Sequence, residues 1–140
     1  MPRAYRHPAL LAASAAAWLA LSAGGLARAG DAGDIMTLPS GLSASLQDII
    51  WDEDDRIARF RFIAPDLPAA LDAPALLEDD LMALCDAFAA PLTRALQPGW
   101  GQVVLSLATA PVAFGHDDPA VTQVFEGFDL DGRDCAWGAF

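Results

Sequence analysis

The stretch from Asp72 to Leu96 constrains the fold most tightly, because it reads as one long amphipathic helix and carries Cys85 on its apolar face. Leu77, Leu81, Leu84, Cys85, Phe88, Leu92 and Leu96 recur at steps of three and four, tracing one side at 3.6 residues per turn. Glu78, Asp79, Asp80, Asp86 and Arg94 are expected mostly on the other side. Asp72 suits the N-cap, with Pro74 in the first turn, where its missing N–H removes no intrahelical bond. Gln97-Pro98-Gly99 supplies the stop. Pro91 conflicts with the pattern: it deletes the hydrogen bond to the Ala87 carbonyl and should kink or split the helix, with a bend near Phe88.

The start of the chain reads as an address. Arg3 and Arg6 precede an apolar run from Ala9 to Leu21, and Ala27-Arg28-Ala29 has the small-x-small pattern cut by a signal peptidase. The run falls short of the roughly 20 residues a membrane span needs. Residues 1–29 are therefore expected to be a cleaved signal peptide, and residues 30–140 a single α+β domain in the periplasm or outside the cell. An oxidising compartment makes a Cys85–Cys135 disulfide the default, and the spacing is not the C-x-x-C of a redox pair.

Removal of the leader leaves five arginines against 19 acidic residues, a formal charge of −14, with no lysine. Such a surface repels phosphate backbones and anionic lipid heads. Neither nucleic acid nor a membrane is expected as a partner of the mature protein.

Alternation places the strands. Leu42 to Trp51 and Ile57 to Ala64 flank the acidic run Asp52-Glu53-Asp54-Asp55, which reads as a hairpin loop. In the second of these, Ala58, Phe60, Phe62 and Ala64 alternate with Arg59 and Arg61. Met36-Thr37-Leu38 looks extended before the turn at Pro39-Ser40-Gly41. Beyond the helix, Gln102 to Ala108 and Val121 to Leu130 read as strands, and Asp131-Gly132 as a hairpin turn into Arg133 to Phe140. The sum is β-β-α-β-β with a short added strand: an antiparallel sheet of about four to five strands with one kinked helix packed on one face.

Residues able to do chemistry are few. His116 is the only histidine after the leader, which excludes a multi-histidine zinc site, and both cysteines are committed. No metal is expected. Asp129 to Asp134 departs from the D-x-D-x-D-G order of a calcium loop, and no phosphate-binding loop or dinucleotide fingerprint occurs, so no cofactor is expected. Ser40, Ser43, Ser45 and Ser106 lie in no G-x-S-x-G context. The candidate binding set is His116, Asp118, Gln123 and Glu126; if these four converge they would support a small hydrolase-type enzyme, and if scattered they would not. Trp51, Trp100, Phe114, Phe125 and Trp137 are potential interface anchors if exposed and core residues if not.

Several of these elements together resemble a known family. Leu38-Pro39-Ser40-Gly41, Arg59-Phe60-Arg61-Phe62 with Ala64-Pro65, the helix around Cys85 ending at Pro91, Val104 to Leu107, Phe114-Gly115, Asp118-Pro119, Thr122-Gln123, Phe125-Glu126, Cys135, Trp137 and Phe140 resemble a family of small exported alphaproteobacterial proteins of unknown function. The resemblance implies a periplasmic location and the disulfide, and no mechanism. The expected function is a non-catalytic binding or interaction module, with an unidentified protein or small molecule as partner.

Overall fold

The computed structural model describes residues 33–138; the signal-peptide reading of residues 1–29 lies outside them. Among the described residues, six strands form one sheet in sequence order: β1 (Ile35–Thr37), β2 (Ser43–Asp52), β3 (Ile57–Ile63), β4 (Gln102–Ala108), β5 (Gln123–Asp129) and β6 (Ala136–Trp137). The fold is α+β, as expected, but the sheet is mixed rather than antiparallel, and has six strands. Every neighbouring pair is antiparallel except β3 and β4, which run parallel from Ile57 opposite Gln102 to Ile63 opposite Ala108.

The helix explains the parallel pair. It leaves the far end of β3, and its 23 residues span about 35 Å, enough to carry the chain back to the near end of β4. A crossover of that kind joins parallel neighbours, whereas a hairpin joins antiparallel ones. The sixth strand is the extended segment at Met36, which pairs with β2 through the tight turn at Leu38–Leu42, where Gly41 adopts φ +95°.

A short helix, α1 (Leu67–Ala70), precedes the long one; Pro68 sits in its first turn and Leu67 is fully buried. The long helix has three parts: α2 (Pro74–Leu84), a π-helical turn (Cys85–Ala89) and α3 (Ala90–Leu96). Its cap is Ala73 rather than Asp72 and makes no side-chain hydrogen bond. The break expected from Pro91 is the π-turn. Ala90 N–H reaches back to the Cys85 carbonyl, so that Pro91 falls in the first turn of α3, where a missing donor is tolerated. The extra residue in the wide turn moves the buried stripe from Leu81, Leu84 and Cys85 to Ala89, Ala90 and Thr93. Leu96 consequently ends up exposed, while the Thr93 hydroxyl is buried and donates to the Ala89 carbonyl at 2.7 Å.

Asp80 contradicts its expected place on the solvent side: it is fully buried. Its position three after Leu77 and four before Leu84 puts it within the buried stripe. The carboxylate is satisfied by Ser40, accepting from the backbone N–H at 2.8 Å and from the hydroxyl at 2.5 Å.

The core lies between the helix and one face of the sheet, with Phe60, Phe62, Val103, Leu105, Leu107 and Phe128 from the strands and Leu81, Leu84 and Cys85 from the helix. Phe88 meets Phe60 and Phe62 edge-on at 5.9 and 6.0 Å between centroids. The disulfide joins Cys85 to Cys135 with Cα atoms 6.2 Å apart. Beside it Cys135 N–H donates to Asp86 Oδ1 at 2.7 Å, and Arg94 Nη2 donates to the Gly132 carbonyl at 3.1 Å. Three ties thus hold the last loop against the helix.

Candidate functional site

Alternation sends every second residue of a strand to the face away from the helix. On β3 these are Arg59 and Arg61, on β4 Val104 and Ser106, and on β5 Gln123 and Phe125. The segment from Thr109 to Thr122 folds back over them, its neck closed by Thr109 N–H to the Thr122 carbonyl at 3.0 Å and Thr122 N–H to Thr109 Oγ1 at 3.1 Å. Between this segment and the sheet lies a cleft of about 260 Å³ lined by Arg59, Arg61, Ser106, Phe114, His116 and Phe125, among others.

A bulge in β2 builds one wall. The register with β3 shifts between Leu46 and Asp48, leaving Gln47 as the extra residue. Leu46 opposite Phe62 faces the helix, yet Asp48 is opposite Arg61 and faces the cleft side, a change that strict alternation would forbid. Arg61 donates to Asp48 through Nη1, at 3.4 Å to Oδ1 and 3.2 Å to Oδ2, and through Nη2 to the Val112 carbonyl. Gln47 Nε2 donates to the same carbonyl at 3.3 Å. The guanidinium carbon then lies 5.8 Å from the centre of the Phe114 ring, within cation–π range.

Arg59 is held by Asp52, to which its Nε and Nη2 donate at 3.3 and 3.1 Å. The Arg59 hydrogen bonds, and after them the Asp55 N–H, hold the Asp52 carboxyl below its ordinary value. Each cleft arginine therefore carries one carboxylate partner and keeps donors to spare: Nε of Arg61 and Nη1 of Arg59 enter none of these bonds.

Of the four candidate residues, two share the cleft. His116 and Gln123 line it. Asp118 is in the adjoining turn, where Oδ1 accepts from Ala120 N–H at 2.9 Å. Glu126 is opposite Leu105, on the helix side of the sheet, because it is one residue on from Phe125. The aromatic candidates divide as well. Trp51 and Trp100 pack on the core, edge-on to each other at 6.0 Å, whereas Phe114, Phe125 and Trp137 are 57%, 55% and 47% exposed. Trp137 stacks on Phe128 at 4.8 Å, away from the cleft.

By sequence, Arg59 and Arg61 are the polar half of an alternating strand and part of the family-like segment Arg59-Phe60-Arg61-Phe62, and Ser106 lies in no G-x-S-x-G context; none of the three is a candidate site residue there. The signal for the arginines is in the composition: two of the five arginines beyond residue 29 fall in one short strand. Ser106 had no such signal, since a serine between Leu105 and Leu107 is indistinguishable from any outward strand residue.

Fold and site define an α+β domain whose second sheet face, under a folded-back loop, carries a small cleft with arginines below and phenylalanines at its sides. The chain belongs to a family of unknown function (DUF6497), the match covering residues 13–140. No curated protein and no solved structure matches it.

Proposed function

We propose that the protein is a non-catalytic binding module exported to the periplasm, and that it takes a small molecule in the cleft over β3, β4 and β5. The observation that carries this reading is the pairing of two half-exposed phenylalanines, Phe114 and Phe125, around a floor of polar side chains in one concavity. Apolar walls with a few placed polar groups are the usual make-up of small-ligand sites. The leader pattern, the acidic charge and the disulfide support the location.

A hydrolase reading draws on Ser106, His116 and Asp117, which line the same cleft. Against it, the His116 imidazole makes no hydrogen bond to a hydroxyl or a carboxylate among the described residues, and Ser106 is mid-strand rather than on a sharp turn. Asp118 is committed to its own turn and Glu126 faces the helix.

A fragment screen by amide chemical-shift mapping tests the proposal, with shifts expected at residues 104–106, 113–117 and 123–125. A screen in which no fragment moves these amides overturns it. Covalent labelling of Ser106 by an organophosphorus probe would replace it with the hydrolase reading.

A further inference from the structure

We infer that the cleft is built for a small flat carboxylic acid, its ring between Phe114 and Phe125 and its carboxylate toward Ser106 and the arginines; this rests on the binding reading above. The first observation is Ser106. It is only 5% exposed, lines the cleft, and its hydroxyl has no hydrogen-bond partner among the described residues. No buried polar side-chain atom among the described residues lacks a partner, so the unpartnered Ser106 hydroxyl is open to the cleft. No bond within the fold uses this hydroxyl, so a group entering the cleft is its natural partner.

The second observation is the row that Ser106 belongs to. The register sets Arg61 directly opposite on β3 and Phe125 directly opposite on β5. Gly127, two residues on from Phe125, faces Val104 without a side chain, so nothing from β5 flanks the ring there. On the other side Phe114 stands over Arg61. Both phenylalanines line the cleft, and aromatic groups favour edge or offset contacts with such neighbours.

The third is the balance of donors and acceptors. A guanidinium offers donors only, and Arg59 and Arg61 both keep an unspent nitrogen. Ser106 adds a hydroxyl donor and Gln123 an amide, while the acceptor-only group of the lining, Asp117, is exposed at the rim. The complement is a group that only accepts, and a planar carboxylate matches a guanidinium in shape. Asp48 and Asp52 already neutralise the arginines, so binding depends on these hydrogen bonds more than on net charge. The volume, about 260 Å³, is just under the usual range for ligand sites and suits a single ring with one polar substituent.

The test uses the purified protein with its disulfide intact and three probes matched in size: benzoate, benzamide and benzylammonium. Amide shifts give the affinities of the wild type, Ser106→Ala and Phe125→Ala. Benzoate is expected to bind several-fold tighter than benzamide, and benzylammonium to leave the cleft amides unmoved. Ser106→Ala should weaken benzoate roughly tenfold with no fall in melting temperature, since its hydroxyl holds nothing in the fold. Phe125→Ala should weaken benzoate and benzamide alike. Equal affinity for acid and amide, preference for the cation, or an unchanged Ser106→Ala would overturn the ligand class while leaving the binding reading intact. Silence from all three probes would also overturn it, and the broader fragment screen then decides the binding reading separately.

Discussion

Arg61 reaches across 51 residues of sequence to donate to the Val112 carbonyl, and so fastens the folded-back loop to the middle of the sheet. The same side chain holds Asp48 and underlies Phe114. Lysine retains the charge but has no planar fork to serve two acceptors at once. Arg61→Lys should therefore cost about 1–3 kcal/mol, the range for hydrogen bonds to charged groups and unpaired buried acceptors. Hydrogen exchange of residues 112–116 should quicken in this variant. Unchanged exchange there would mean that Gln47 and the Thr109–Thr122 neck hold the loop unaided.

Asp80 and Ser40 form the other long-range polar tie, between the helix and the β1–β2 turn. Asp80→Ala should destabilise by roughly 1–3 kcal/mol, because two donors of Ser40 lose their acceptor. Ser40→Ala should cost less, since its backbone N–H still reaches Asp80. Urea denaturation of both single variants and the double variant gives the coupling; additive effects would show that the pair does not act as a unit.

Cys85→Ala with Cys135→Ala should lower stability by about 2–5 kcal/mol, the range for a native disulfide in a small secreted domain. The bonds from Cys135 N–H to Asp86 and from Arg94 to the Gly132 carbonyl survive the change, so the loop should stay docked in the folded state. The urea midpoint measures the first effect and exchange at residues 131–137 the second. A wild-type midpoint, or two free thiols in exported protein, would remove the staple from the account.

Asp52 carries a pH signature. Its carboxyl is held below the ordinary value by Arg59, so protons bind it more readily in the unfolded chain than in the native one. Its contribution is fully present above the unfolded value, near pH 4, and is lost as pH falls through the folded value. The stability difference between wild type and Asp52→Asn should be constant from pH 5 to 7 and shrink below about pH 4. A difference that persists at pH 2 would assign the effect to packing instead.

The leader reading expects Gly30 as the first residue of exported protein. N-terminal sequencing of the periplasmic fraction checks it, and intact Met1 in membranes would overturn it. The same material should show no salt-sensitive retention on DNA or anionic vesicles, given a charge of −14 without lysine.

Local pattern was enough for most elements. The alternation over Ile57–Ile63 and Gln102–Ala108, and the three-four rhythm of the helix, are dictated by neighbours in sequence, and the structure carries them within a residue or two. Pro91 announced a break because the missing donor belongs to the residue itself; that the break is a π-turn, which shifts the buried stripe onto Thr93, depended on packing.

By itself, then, the sequence determined the strands, the helix, the disulfide partners and the acidic surface, since each follows from residues read singly or at short spacing. Tertiary structure decided the parallel pairing of β3 with β4, the burial of Asp80 against Ser40, the turning of Asp48 toward Arg61 and the separation of Glu126 from His116. The reason is common to all four. Each is a property of two segments brought together, and for the strand residues a shift of one in register sends a side chain to the opposite side of the sheet.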